Sequence, residues 1–347
     1  MDAALWPSVL AKLIGGKELS AAEAAAAMSS ILEGAATPAQ IAAFVVALRV
    51  KGETAAEIAA LVRTMLAFAE RVEVDGPLVD TCGTGGDRSG TINVSTIAAV
   101  VVAGAGARVA KHGNRGVSSP CGSADVLEQL GVVPDLGPAG VARCIEEAGI
   151  GFCFAPRFHP AMRHAGPTRR ELGVPTVFNF LGPLANPAGV RRQVVGVGDP
   201  AMAEVMVGAL AELGSERALV FHGHDGLDEL TTTTTSAVWE LAHGEVRTYV
   251  VDPAEFGIPR SLPGDLAGAG PERNAEITRD LLAGKTGAAR DIVVLNAGAA
   301  LVAAGVADDL AGGIAAASAS VESGRAGECL ERLVATSQAA KREEAEA

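Results

Sequence analysis

Between residues 80 and 123 the chain carries three clusters of glycine, serine, threonine and asparagine, each beside an apolar run. The first is Asp80-Thr81-Cys82-Gly83-Thr84-Gly85-Gly86-Asp87 and the second Asn93-Val94-Ser95-Thr96. The third is Lys111-His112-Gly113-Asn114-Arg115, with Ser118, Ser119 and Ser123 just beyond. Short apolar runs broken by such clusters read as strand, loop and helix in turn, which predicts a mostly parallel sheet covered by helices. Ligands of such sheets sit beyond the carboxyl ends of the strands, so the clusters should converge on one rim. Glycine lets backbone N–H groups approach a ligand and accepts left-handed angles. Ser, Thr and Asn add neutral donors, and Lys111 and Arg115 add charge. Together these features describe a surface that wraps a polyanion.

Strand candidates are Leu78-Val79-Asp80, Arg108-Val109-Ala110, residues 150–154, 193–197 and 218–221. Helices are expected over 94–105, from Ser123 to Leu130, over 201–213, and again from about Pro271. Ahead of them, residues 1–71 read as helices only. Leu5, Val9, Leu10, Leu13 and Ile14 form a stripe stopped by Gly15-Gly16. Three capping boxes follow: Ser20 with Glu23, Thr37 with Gln40, and Thr54 with Glu57. Gly34 and Gly52 close two of these helices. The expected fold is α/β: a small all-helical domain over 1–71, joined by part of the Pro- and Gly-rich stretch 165–190, and a larger α/β domain over 72–347 with a mostly parallel central sheet. The Ala/Leu stripes of the helical part exceed what a few short helices can bury among themselves, which predicts a homodimer through residues 1–71.

Bulk charge narrows the partners. Formal charge is −13, and aromatics make up only 3% of the 347 residues. Nucleic acid and anionic membranes both need a basic face, and single-stranded nucleic acid also needs stacking aromatics, so neither is expected. The five cysteines show no CxxC spacing and read as reduced thiols. With no leader-like N-terminus and no apolar run long enough to span a bilayer, a cytoplasmic protein is expected.

The glycine loop lacks the Lys-Ser/Thr ending of a P-loop and the third glycine of a dinucleotide turn. A phosphorylated sugar or another diphosphate is the expected ligand. Residues His222-Gly223-His224-Asp225-Gly226-Leu227-Asp228-Glu229 follow a strand and end in adjacent acids, on a loop that reads as polar and exposed. Such a pair suits Mg²⁺, which completes its shell with phosphate oxygens and water; a solvated acidic turn is the alternative, and zinc through His222 and His224 lacks a third ligand. His159 to His164 and Arg169-Arg170 lie beside a glycine–proline hinge. They could hold an anion or lie on solvated helix faces.

Over essentially its whole length the chain resembles the anthranilate phosphoribosyltransferase family of tryptophan biosynthesis. The resemblance runs through the helical N-terminal part, Gly83–Asp87, Asn93–Thr96, Lys111–Ser119, Gly122 to Glu128, Arg169 to Gly173, Asn179 to Pro187 and Asp225 to Glu229. It implies a Mg²⁺-dependent reaction, with two ions, in which the amine of anthranilate displaces pyrophosphate from 5-phosphoribosyl 1-diphosphate (PRPP) with inversion and no covalent nucleophile. It further implies that Gly83, Gly86, Asp87, Thr91, Asn93, Val94, Ser95, Thr96, Lys111, His112, Gly113, Asn114, Arg115, Gly116, Val117, Ser118, Ser119 and Ser123 bind PRPP. Ser95, Asp228 and Glu229 would ligate the metal, and Gly83, Asn114, His159 and Arg169 would line the anthranilate site. A homodimer joined through the helical domains is implied as well. Pro120-Cys121 and the threonine run Thr231 to Thr235 depart from the family pattern. A pyrimidine nucleoside phosphorylase, which would use inorganic phosphate, and a non-catalytic nucleic-acid-binding relative are the competing readings.

Overall fold

The computed structural model describes residues 4–116 and 120–346, so Val117, Ser118 and Ser119 lie outside the described residues. Seven strands form one sheet in the order β3-β2-β1-β4-β5-β6-β7. They are β1 (Val79–Gly83), β2 (Val109–Gly113), β3 (Ile150–Phe154), β4 (Arg192–Gly196), β5 (Arg217–Gly223), β6 (Ser236–Ala242) and β7 (Glu245–Val251). The first five are parallel, as the alternating pattern predicts. β6 and β7 add an antiparallel hairpin at one edge, which the strand candidates did not include. Its tight turn is His243-Gly244, with both residues left-handed at φ 54° and 80°. Histidine stands where Asn or Asp usually signals such a turn. A charge also sits in the middle of β6: buried Glu240 accepts hydrogen bonds from Arg217, Arg247 and Tyr249.

In the N-terminal part, α1 (Leu5–Ile14), α2 (Ala21–Leu32), α3 (Pro38–Lys51) and α4 (Ala55–Ala67) form as expected. All three capping boxes close, with Ser20, Thr37 and Thr54 each accepting from the backbone three residues on. Glu57 does more than cap. It also accepts from Leu19 N (2.9 Å) and Lys51 Nζ (2.7 Å), tying the start of α4 to the segment before α2 and the end of α3.

The apolar stripes of these helices do not wait for a second copy. Phe44, Leu48, Ile58, Leu61 and Val62 share one core with Phe178, Phe180 and Leu181, with Met206, Val207 and Leu210, and with Val195 and Val220 of the sheet. The bulk of the helical part is thus covered by the chain's own α/β part. What stays open is smaller: Ile14 (79% exposed) on α1, with Val46 (41%) and Val50 (82%) on α3, two helices that pack together. Helix Gly166–Leu172 packs on α3 and helix Phe178–Leu184 on α4, and Gly34, left-handed at φ 72°, lies directly against the His164 ring. On the other face of the sheet, α5 (Val94–Gly104) packs against helix Ala288–Ala304 and helix Arg325–Glu346, burying Ile97 through Ala103.

β2 lies on one side of β1 and β4 on the other, so the chain reverses its direction of winding at β1. This is a topological switch point, where open α/β sheets leave a crevice at their carboxyl edge. A buried polar clamp fixes the strands below it. Asp80 of β1 accepts from His112 N of β2 (3.1 Å) and from Asn186 Nδ2 (2.8 Å). Asn186 Nδ2 also donates to Ala110 O (2.8 Å). Burial pushes the Asp80 carboxyl up, and these donors oppose the shift. Asn186→Ala should leave Asp80 short of a partner and destabilise the fold by about 2–3 kcal/mol. The check is denaturant unfolding; a loss within about 0.5 kcal/mol would show that the clamp is not structural.

Candidate active site

At the switch point the loop after β1 turns through three left-handed glycines, Gly85, Gly86 and Gly90. It docks on the end of β4, with Thr84 N donating to Gly196 O (2.9 Å) and Gly198 N to Thr84 Oγ1 (3.2 Å). Across this seam passes the acid pair. Asp228 Oδ2 accepts from Gly85 N (2.7 Å), and Glu229 Oε1 accepts from Ser95 N (3.1 Å) in the first turn of α5. The approach is so close that only glycine fits beneath it. A Cβ on Gly83 would lie 2.2 Å from Asp228 Oδ2, and one on its register partner Gly196 would lie 1.5 Å from Asp228 O.

The loop carrying the acids is not the exposed polar turn expected from its composition. Glu229 is only 8% exposed, and Thr231 and Thr232 are fully buried. Asn296 clamps it, accepting from Leu230 N (2.9 Å) and donating to Leu230 O (2.8 Å). The threonine run is part of the same brace: Thr231 and Thr233 donate their hydroxyls to Asp225 at 2.7 and 2.5 Å. Asp225 is thereby consumed within its own turn, and His222 and His224 are bonded to Val197 O and Thr235.

Burial, and then the charge of Asp87, push the Asp228 carboxyl up to about 7. Burial and then Asp228 push Glu229 up as well. Three neighbouring acids, with Asp87 acting on Asp228 and both on Glu229, form a site in which negative charge outweighs the one nearby lysine. Their hard oxygen donors fit Mg²⁺, which needs one or two carboxylates and takes its other oxygens from substrate and water. Among the described residues no three His, Cys, Asp or Glu side chains gather to hold an ion by themselves. Lys111 is buried nearby. Its Nζ donates to Thr81 O (2.5 Å) and lies 3.5 Å from Ser95 Oγ.

A second group lies under the residues 178–186 segment. His112 Nδ1 is 3.0 Å from Gly182 O, and His159 Nε2 is 2.9 Å from Ala185 O. A carbonyl can only accept, so these ring atoms carry the hydrogens, and His112 Nε2 and His159 Nδ1 remain as buried acceptors without a partner among the described residues. The rings are 5.2 Å apart. Burial first, and then each other's presence in the case of His112, lower them to about 3 for His112 and about 4 for His159. Both are therefore neutral. Arg169 sits with its guanidinium 5.2 Å from the Phe178 ring, and its side chain makes no hydrogen bond or ion pair among the described residues. Burial lowers its pKa, whereas its neighbour Arg170 is exposed.

The other expected residues have their own surroundings. Arg115 is paired with Asp125 (2.9 Å) and Glu128 (2.8 Å). Asn93 donates to Cys121 O and accepts from Cys121 Sγ and Asn274 Nδ2, so it braces the Pro120-Cys121 loop. Val94 and Thr96 are buried in α5, while Asn114 and Gly116 are exposed and Gly113 packs on Ser123. Thr91 is bridged to Ala267. The sequence reading passed over Asp125, which accepts from both Gly116 N and Gly122 N at 2.8 Å and so pins the two ends of the third loop. It passed over Gly196, Asn186 and Asn296 too. Of these only Asp125 carried a local signal, an acid three residues after a glycine at a helix start.

Residues 75–327 match the glycosyl transferase family a/b domain and residues 7–69 the glycosyl transferase family helical bundle domain. The chain is 56% identical to an anthranilate phosphoribosyltransferase of Nocardioides sp., an alignment covering 95% of this chain and 98% of the relative. The anthranilate phosphoribosyltransferase structure from Thermus thermophilus superposes with a TM-score of 0.90 at 46% identity, covering 95% and 99% of the two chains. The Saccharomyces cerevisiae enzyme in complex with PRPP and Mg superposes with a TM-score of 0.89 at 29% identity, covering 98% and 99%.

The raised Asp228 carboxyl has a pH signature. Its ordinary value is 3.8 and its value in the fold about 7, so the unliganded fold loses stability as pH rises from about 4 through 7, where the buried acid must ionise in place. Asp228→Asn removes that loss. The variant should melt above the parent at about pH 8 and level with it near pH 4; identical pH profiles of Tm would rule out the strained carboxyl.

Proposed function

We propose a reaction from one premise: the chain belongs to the anthranilate phosphoribosyltransferase family. It transfers the phosphoribosyl group of PRPP to the amine of anthranilate, giving N-(5-phosphoribosyl)anthranilate and pyrophosphate for tryptophan biosynthesis. The observation that carries this is the acid pair bonded to the β1 loop and to the start of α5 at the switch point. Asp228 and Glu229, with Ser95 beside them, would hold two Mg²⁺ ions. Magnesium supplies charge neutralisation to a departing diphosphate. Gly83, Gly86 and Asp87 line the diphosphate side, and Lys111 and the α5 start the ribose and its phosphate.

Anthranilate's amine is a weak nucleophile, so positioning and charge stabilisation bear most of the barrier. The Arg169 guanidinium has no hydrogen bond or ion pair among the described residues and is desolvated, which suits it to the anthranilate carboxylate. The bare nitrogens of His112 and His159 are acceptors only and suit the amine hydrogens. As the new C–N bond forms, the C–O bond to the diphosphate breaks with its electron pair, and one amine proton passes to the departing diphosphate. No step needs a nucleophilic side chain. A phosphorylase using inorganic phosphate would have no use for the acid pair, which favours the transferase reading. Among the described residues no helix is long and apolar enough to cross a membrane. A division at residues 71/72 and a cytoplasmic setting belong to this proposal.

Anthranilate fluorescence should decay only when PRPP and Mg²⁺ are both present; turnover of thymidine or uridine with phosphate instead would overturn the reading. In the same assay Arg169→Ala should raise the anthranilate KM roughly 10- to 150-fold with little change for PRPP. Arg170→Ala, on an exposed position, should change neither by more than about twofold. Equal effects of the two substitutions would remove Arg169 from the site.

The homodimer is proposed through Ile14, Val46 and Val50, the apolar residues of α1 and α3 that the chain leaves exposed. Val46→Lys with Val50→Lys should convert a light-scattering dimer at micromolar concentration into monomer without lowering helix content. A wild-type monomer would end the proposal.

A further inference from the structure

Arg88 is one of two non-glycine residues with positive φ among the described residues, at φ 56°. It sits in the β1 loop between left-handed Gly86 and Gly90. Arginine has no intrinsic preference for this conformation, and glycine, used at three other positions of the same loop, would adopt it without strain. The surroundings impose it. Before Arg88, the Asp87 carboxylate accepts from Ser89 N (3.2 Å) and Ser89 Oγ (2.6 Å). After it, Gly90 O accepts from Gly268 N (2.8 Å) and Ile92 N donates to Leu266 O (3.1 Å). A strained residue held on both sides is an observation from which a function can be sought.

Charge accounting at the rim supplies the second observation. The glycine clusters, with Arg88 just after the first, bring three cations. Lys111 is buried with its Nζ on Thr81 O, and Arg115 is taken by Asp125 and Glu128. Arg88 is exposed and makes no hydrogen bond or ion pair among the described residues, although Asp87 precedes it directly. All five of its N–H donors are unspent. Its neighbour Asp87 acts electrostatically on Asp228, so Arg88 belongs to the end of the crevice where the acid pair lies.

We propose that Arg88 binds the diphosphate of the phosphoribosyl donor, a fork of donors set by a strained backbone on the metal side of the site. This rests on the transferase reading and adds a residue to it. A guanidinium matches two phosphate oxygens at once, which a backbone amide cannot do. The diphosphate, rather than the 5-phosphate, is the partner because the donor's leaving group must lie against the acids.

The test uses the full chain and three variants: Arg88→Gly, Arg88→Lys and Arg88→Gln. Arg88→Gly relieves the strain while removing the charge, so it should fold with an unchanged or higher Tm. Its PRPP KM should nevertheless rise roughly 10- to 100-fold, with the anthranilate KM within about twofold. Calorimetry with pyrophosphate and Mg²⁺ should show the same loss, and ribose 5-phosphate as competitor should show none. Arg88→Lys should recover part of the loss and Arg88→Gln none. The parent's PRPP KM should rise more steeply with salt than that of Arg88→Gly. A parent that turns over anthranilate, paired with an Arg88→Gly variant of unaltered PRPP KM and pyrophosphate affinity, would overturn the role of Arg88 alone. A weakened affinity for ribose 5-phosphate in place of pyrophosphate would also overturn it, and a parent without PRPP-dependent turnover would remove both readings.

Discussion

The site depends on one close approach: the backbone of Asp228 crossing the carboxyl ends of β1 and β4. Gly83 and Gly196 are paired in register, and both lack the side chain that would collide with it. That vacancy lets Asp228 reach Gly85 N while the next residue reaches Ser95 N. A parallel sheet that reverses its order at β1 provides the crevice, but the two glycines decide what can enter it. The loop itself is then held from behind by Asn296 and from beside by the threonines on Asp225. An acid pair pushed toward neutrality by burial and by the charges of Asp87 and Asp228 would drift toward water if it could; here the braces prevent this.

Below the crevice the polar groups behave differently. Asp80, Asn186 and His112 N satisfy one another across two strands and the connecting segment, so their job is to fix distances. Fixing them matters for what sits just above. His112 follows Lys111 on β2, and His159 reaches the same segment through Ala185, next to Asn186. One buried carboxylate therefore sets the relative position of the lysine, both imidazoles and the 182–186 turn. A displacement of about 1 Å in such a frame is enough to cost a positioned reaction two orders of magnitude.

Much of this was legible in the sequence because it is local. Capping boxes, glycine stops and short apolar runs each specify a few neighbouring residues, and Ser20, Thr37 and Thr54 close their boxes as written. The five parallel strands were readable for the same reason. What escaped depends on contacts between distant residues. The β6–β7 hairpin hides a charged centre, Glu240, whose partners lie on other strands. The burial of Glu229 and Thr231 cannot be inferred from a polar string, since Asn296 is 66 residues away. The apolar helical stripes could not reveal that helix 203–212 and residues 178–184 would cover them. Arg115 reads as a ligand cation until Asp125 and Glu128 are seen to hold it.

That last case gives a general way to separate scaffold from ligand-directed groups in this crevice. Desolvating a polar side chain is unfavourable unless something pairs with it. Groups whose partners are all within the chain, such as Asp80, Asn93, Asp125, Asn296 and Arg115, already have their compensation and build the frame. Among the described residues the groups left short are few: the raised acids Asp228 and Glu229, the bare ring nitrogens of His112 and His159, and the half-buried guanidinium of Arg169, to which Arg88, exposed but without an ion pair, adds a second free cation. By charge they divide into two acids that want a cation, two cations that want anions, and two neutral acceptors that want N–H donors. An aromatic amine bearing a carboxylate, together with a magnesium-bound sugar diphosphate, supplies each of those needs once. Inorganic phosphate with a nucleoside would leave the acids and one arginine uncompensated.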